Sequence, residues 1–178
     1  SILACAGLAI LALGANVLSA AVAFVTMASY AVIYTPLKRH SSFSTVIGAI
    51  PGALPPVIGW AAALDELSQG AWVLFGIVFL WQLPHFLAIA WIYREDYARA
   101  GFPMLPVVDP DGRSTARQAV IYALALLPLS LAPTLVGMTG EVAKVFEVAI
   151  QTGAMFAVVW EYRAKLMATV TGIGRDPV

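Results

Sequence analysis

Long apolar stretches, separated by short polar ones, most constrain what this chain can fold into. A helix that crosses a bilayer needs about 20 mainly apolar residues. The chain is 61% hydrophobic and 11% charged, whereas a soluble domain carries about 25% charged residues. The sequence therefore predicts an all-α fold, a polytopic transmembrane helix bundle that forms one domain over residues 1–178. The predicted helices are 2–14, 17–35, 44–64, 71–92, 117–137 and 141–163.

Basic residues are unequally divided between the two ends of these predicted helices. Nine of the ten lie at one end, and only Lys144 lies at the other. Because basic residues mark the cytoplasmic side of a membrane protein, segments 36–43, 93–116 and 164–178 are predicted to be cytoplasmic. The asymmetry supports six crossings, since removing one would scramble it. The net charge of zero gives no electrostatic case for binding nucleic acid.

A polar stripe follows predicted helix 71–92 towards its cytoplasmic end. Gln82, His85, Ile89, Tyr93 and Asp96 recur at intervals of three or four residues, which places them on one helix face. Polar groups are costly in lipid, so this face should point into the bundle. His85 is compatible with two interpretations, a satisfied core histidine and a ligand contact.

A second stripe, on predicted helix 17–35, ends at the same cytoplasmic end of the bundle, which we call its mouth. Its members, Thr26, Tyr30, Tyr34 and Lys38, are each four residues apart. Lys38 also suits the role of an interfacial anchor. Acidic side chains at the mouth, opposite basic ones, suit a diphosphate. Carboxylates hold Mg²⁺, which bridges to phosphate oxygens. Lys and Arg then neutralise the remaining negative charge. Aromatic faces below the mouth would stabilise a carbocation.

Predicted helix 44–64 is rich in glycine and proline, with the sequence GAIPGALPPVIGW at residues 48–60. Proline frees backbone carbonyls, which is tolerated where a neighbouring helix or a polar cavity satisfies them. The segment is therefore either a kinked packing helix or one wall of a central cavity.

The stretch YREDYARAG, residues 93–101, resembles the second aspartate-rich motif of the UbiA superfamily of intramembrane prenyltransferases, typically DxxDDxxxG. Asp96 keeps the middle acidic position and Gly101 matches the glycine, whereas Tyr93 and Tyr97 replace the first and third acidic residues. The tyrosine substitutions resemble the haem-farnesylating branch of that superfamily. Similar stretches are YTPLKRHSSFSTVIGAIPGALPPVIGWAA at 34–62, WQLPHF at 81–86 and AGFPMLPVV at 100–108.

This resemblance implies a bundle of nine crossings, of which six are expected here. It implies farnesyl diphosphate and haem b as substrates and Mg²⁺ as the metal that ionises the diphosphate, after which a haem vinyl group attacks the farnesyl cation. It also implies the bacterial cytoplasmic (inner) membrane as the location, with proteins of the haem A pathway or of oxidase assembly as further partners.

The same resemblance assigns roles to individual residues. Asp96 becomes the metal ligand, and the catalytic set is Asp96, Tyr93 and Lys38. Together with the tyrosines of the second stripe, the resemblance gives a predicted substrate-binding set of Lys38, Arg39, Arg94, Tyr34, Tyr30, His85 and Tyr97.

No acidic residue precedes Asp65, so the first aspartate-rich motif of the superfamily is not in this sequence. We therefore interpret the chain as an internal segment of a longer protein and expect no prenyl transfer by the segment alone. One alternative function is prenyl transfer to another acceptor, such as a quinone precursor or a chlorophyll-type ring. Another is a non-enzymatic transporter or structural membrane subunit, which the broken helix 44–64 would suit.

Overall fold

The computed structural model describes residues 2–138 and Gly140. The chain divides into two compact units, Ser1–Met138 and Thr139–Val178. Predicted helix 141–163 and the predicted cytoplasmic segment 164–178 lie outside the described residues. Every helix named below belongs to the first unit, and the single domain over 1–178 stays a prediction.

Within the described residues, four helical stretches are long and apolar enough to cross a membrane. They confirm the all-α membrane bundle and four of the six predicted crossings. Predicted helix 2–14 also forms, as an apolar helix of 13 residues. The four stretches are Val17–Leu37, Ser44–Leu64, Gln69–Ile92 and Arg113–Leu135.

Asn16 joins the first two helices, α1 (Ile2–Gly14) and α2 (Val17–Ala28), and ties them to a later one. Its Oδ1 accepts a hydrogen bond from the Ser19 N–H at 2.8 Å, which caps the start of α2. Its Nδ2 donates to the Ala61 carbonyl at 2.6 Å. One amide side chain thus fixes both the turn and the height of α2 in the bundle.

The chain widens after α2 into a π-helical turn, Ser29–Tyr34, before a short α3 (Thr35–Leu37). The Thr35 N–H bonds to the carbonyl of Tyr30, five residues back. This wider turn lies directly before Pro36, which has no N–H to donate. The helix therefore continues to Leu37, two residues beyond the predicted end.

The Gly/Pro-rich segment forms two helices, α4 (Ser44–Ala53) and α5 (Pro55–Leu64), separated at Leu54. The break occurs because neither Pro55 nor Pro56 can donate a backbone hydrogen bond. The next helix, α6 (Gln69–Ile92), is continuous through Pro84. A small core between these helices and α2 consists of Leu54, Val57 and Ala71, with Val22, Trp60 and Phe75 packed against them.

The segment predicted as a loop at 93–116 contains structure. It holds α7 (Arg94–Arg99) and α8 (Leu105–Val108), and α9 (Arg113–Ser130) begins four residues before its predicted start, followed by α10 (Ala132–Leu135). Acidic residues in the first turn of α7 and Arg99 in its last turn suit the helix dipole.

Candidate active site

A cavity of about 580 Å³ opens among α2, the π-helical turn, α4, α5, α6 and α7. A volume of this size is typical of a site for a small organic ligand. Its wall is mainly apolar and aromatic. It is lined by Ala23, Thr26, Met27, Tyr30, Ala31, Tyr34, Thr45, Gly48, Pro51, Gly52, Ile58, Gln82, Phe86, Ile89, Tyr97 and Met104.

Lys38 is not itself part of this wall, but its ammonium lies over the ring of Tyr34, which is. Its Nζ is 6.0 Å from the centroid of the Tyr34 ring and 5.8 Å from that of Phe102. Tyr97 packs edge-on against Phe102 with 6.4 Å between centroids. The Lys38 ammonium therefore lies beside aromatic rings that adjoin the cavity, at the basic end of the bundle, which also carries Arg39, Arg113 and Arg117.

Two glycines of α4 allow the aromatic and amide walls to approach. A Cβ at Gly48 would lie 2.6 Å from Cε2 and 2.7 Å from Cδ2 of Tyr34. A Cβ at Gly52 would meet the side chain of Gln82. Because these glycines are four residues apart, they present one smooth helix face. That face is a wall of the cavity, so the structure favours the second interpretation of segment 44–64.

Gln82 is the polar group set deepest in this wall. It is 4% exposed, and its Nε2 donates to the carbonyl of Ala49 at 2.9 Å. Since only the amide nitrogen can donate to a carbonyl, this bond fixes the orientation of the side chain.

The two predicted stripes meet this cavity to different extents. Thr26, Tyr30 and Tyr34 all line it, as their spacing predicts, and the rings of Tyr30 and Tyr34 lie 5.1 Å apart. From the stripe on α6, Gln82 and Ile89 line it.

His85, which belongs to the same stripe, does not line the cavity. Its ring stacks on Trp81, with centroids 5.3 Å apart and 12° between the planes, and lies 5.8 Å from the ring of Phe86. The role assigned to His85 stays a prediction.

The residues of the stretch 93–101, and the basic residues predicted to act with them, lie in different surroundings. Tyr97 faces the cavity. Tyr93 is the exposed C-cap of α6. Asp96 is exposed and forms an ion pair with Arg99. Arg94 stacks on Trp91, 4.6 Å from the ring centroid, and Arg39 is exposed on the basic end.

The predicted Mg²⁺ site at Asp96 would need several oxygen ligands in one place. Mg²⁺ takes about six oxygen ligands in near-octahedral geometry. Among the residues that the structure describes, no three His, Cys, Asp or Glu side chains come together. Glu95 lies beside Arg94 at a separate small cavity. These residues do not form a magnesium site by themselves, and Asp96 as a ligand stays a prediction.

Several wall residues are absent from the predicted site. Gly48 and Gly52 could have been predicted as wall residues from the sequence, because they lie four residues apart around Pro51. Thr45 and Met104 had no such signal, because each enters the wall through the packing of a neighbouring element.

The fold and the site together define an integral membrane helix bundle with a mainly apolar cavity and a lysine over one of its tyrosines. The UbiA prenyltransferase family matches residues 1–169, and the chain belongs to that family. This confirms the resemblance carried by residues 93–101.

In the curated relatives below, about half or more of the aligned residues are identical to those of this chain. Protoheme IX farnesyltransferase of Solibacter usitatus is 62% identical over 139 residues, 78% of this chain and 48% of the relative. The protein of the same name from Koribacter versatilis is 51% identical over 149 residues, 84% of this chain and 47% of the relative. The chain thus spans about half the length of the curated relatives it matches. No solved structure matches the chain significantly.

Proposed function

We propose that the protein to which this chain belongs transfers a farnesyl group from farnesyl diphosphate to haem b, also called protohaem IX. The observation that carries the proposal is the cavity itself, an apolar, tyrosine-lined space beneath Lys38. Membership of a prenyltransferase family supports it, as do relatives named for farnesyl transfer to protohaem IX.

The two halves of a prenyl diphosphate match the two parts of the site. The hydrocarbon chain suits the wall of Ala23, Met27, Ile58 and Ile89, because burying apolar groups is favourable. The diphosphate suits the Lys38 ammonium, a compact charge with three donors. Tyr30, Tyr34 and Phe86 present ring faces to the space between, where they would stabilise positive charge on the prenyl carbon as the diphosphate leaves.

Magnesium belongs to the proposal only through Asp96. When bound, it would screen the charge of the diphosphate, but no step assigned here to a side chain depends on it.

The membrane and the further partners follow from the proposed activity. We place the protein in the bacterial cytoplasmic membrane, with segments 36–43 and 93–116 on the cytoplasmic side. Proteins of the haem A pathway or of oxidase assembly are the partners that this activity implies.

The test is a transfer assay on the full-length protein in lipid, with labelled farnesyl diphosphate and either haem b, a quinone precursor or a chlorophyll-type ring. Haem b should be the acceptor that takes the label. Lys38→Gln should raise KM for farnesyl diphosphate about 10- to 100-fold, the loss expected for one charge-assisted hydrogen bond.

Arg113→Gln is the matched control, because it removes an exposed cation from the basic end, whereas the half-buried Lys38 lies over the Tyr34 ring of the cavity wall. Labelling of a rival acceptor instead of haem b would refute the proposal that haem b is the acceptor. An unchanged KM in Lys38→Gln would refute the assignment of the mouth.

A further inference from the structure

A second, smaller chamber of about 180 Å³ lies beside the large cavity. It is bounded by the start of α4, by α6, by α8 and by the start of α9, and so lies towards the basic end. Its wall is apolar except for four neutral polar side chains. These are Ser42, Thr45, Gln118 and Tyr122.

Thr45 belongs to the wall of both spaces. The residue is 7% exposed, and its Oγ1 is buried with no hydrogen-bond partner in the part of the chain that the structure describes. Thr45 is the second residue of α4, and the carbonyl four residues before it, on Ser41, already accepts from the Ser44 N–H. An unpaired buried hydroxyl is costly, so buried polar groups nearly always have a partner.

The chamber has the properties of a water site. Its polar groups are neutral and can both donate and accept, which suits water better than an ion. A water molecule occupies about 30 Å³ and typically makes about three hydrogen bonds to buried polar groups, so the chamber can hold several.

Water has a specific use in the proposed reaction, on which this inference rests. The terminal vinyl carbon of haem forms a bond to C1 of the farnesyl group as the C1–O bond breaks and diphosphate leaves with the electron pair. The adjacent vinyl carbon is then left with the positive charge. It is neutralised either by loss of a proton, which gives an alkene, or by a bond from a water oxygen, which then loses a proton to the diphosphate or to solvent and gives an alcohol.

We propose that the chamber stores water for this step and that the Thr45 hydroxyl passes one molecule into the otherwise apolar cavity. Thr45 is thus a positioning residue that selects the product. Because the prenyl cation would also react with free water, a single controlled entry protects the transfer.

Hydroxyl-radical footprinting of the full-length protein tests the chamber without any need for activity. Leu83 and Leu87 line it although they are only 1% and 3% exposed, whereas Val57 is 0% exposed and lines neither space. Internal water should make the two leucines react at least about fivefold faster than Val57. In Thr45→Val this excess should fall about fivefold, the effect of one hydrogen bond in an equilibrium.

The product ratio tests delivery. Thr45→Val, which keeps the shape but removes the hydroxyl, should shift the alcohol-to-alkene ratio about fivefold towards alkene by mass spectrometry, and Thr45→Ser should restore it. Thr134→Val is the matched control, because its hydroxyl is already bonded to the Leu131 carbonyl. If Thr45→Val does not fold, as judged by thermal unfolding, Gln118→Leu takes its place with the same expected results.

Leucines that react no faster than Val57 would overturn the water chamber. A product ratio unchanged in both variants would overturn delivery through Thr45 while leaving farnesyl transfer intact. If the wild type transfers no farnesyl group, the proposed function fails, and delivery to that step fails with it. Footprinting then still decides whether the chamber holds water.

Discussion

At the scale of single residues, Gly48 determines how the cavity is shaped. The Tyr34 ring occupies the space that a side chain at this position would need, and the same ring lies beneath the Lys38 ammonium. The small size of Gly48 therefore controls where the Tyr34 ring lies beside the Lys38 ammonium.

We predict that Gly48→Ala weakens binding of farnesyl diphosphate about tenfold, because the new methyl group displaces the Tyr34 ring, and small displacements in such sites are costly. The measurement is a binding isotherm on the full-length protein. Gly59→Ala is the control, since a Cβ there meets no atom within 4 Å and alanine is favoured over glycine in a helix. Equal affinity in the two variants would contradict this role for Gly48.

The sequence predicts some of these residues well and others poorly. Tyr30 and Tyr34 were predictable because residues four apart share a helix face, and a polar face in a membrane helix turns inward. The stacking of His85 on Trp81 was not, since helix spacing gives the face but not which neighbour a side chain packs against. The pairing of Asp96 with Arg99 likewise depends on the side-chain geometry of α7.

At the scale of elements, the start of α9 depends on a residue outside it. The carboxylate of Asp109 accepts hydrogen bonds from the Thr115 N–H at 2.7 Å and from its hydroxyl at 2.8 Å. These bonds replace a side-chain cap, which Gly112 at the N-cap position cannot supply. They explain why the helix begins at Arg113 and not at 117. The sequence does not predict this start, since a cap three residues ahead of the N-cap position has no simple spacing signal.

The hydrogen bond from the Thr115 N–H, with those from the Thr115 hydroxyl and the Ser114 N–H, holds the pKa of Asp109 below its ordinary value, against a smaller opposing effect of desolvation. A lowered folded-state pKa contributes stability that is present above the unfolded pKa of about 3.9 and is lost as pH falls through the folded value. We predict that Asp109→Ala lowers the melting temperature at pH 7 by a few degrees and that this deficit shrinks below pH 4. Thermal unfolding across pH 3–7 measures it, with Asp111→Ala as the control. A deficit that stays constant down to pH 3 would contradict the cap.

At the scale of the whole molecule, hydropathy predicted the crossings among the described residues more reliably than the connections. A sufficiently long apolar run is predictable as a helix, because backbone groups in lipid must form their hydrogen bonds within the protein. The segment from 93 to 112 is different, because its two short helices pack against α6, and composition does not reveal that packing.

We predict from the basic end that cysteines at Ser42 and Ser114 react with a membrane-impermeant thiol reagent from the cytoplasm, and that one at Ser68 reacts from the opposite side. Ser68 is the N-cap of α6, at the far end of that helix from the mouth. The exposed Cys5 must first be replaced. Labelling of Ser68 from the cytoplasm would contradict the predicted orientation.

The central claim is that the tyrosine-lined cavity holds the prenyl chain with the diphosphate at Lys38. A farnesyl diphosphate analogue with a photoreactive group at the end of its chain, bound to the full-length protein in lipid, tests this most directly. The account predicts crosslinks to the wall at Met27, Ile58 or Phe86 that excess farnesyl diphosphate abolishes. Crosslinks confined to exposed positions away from the cavity, such as Ile121 and Leu124 on α9, would contradict it.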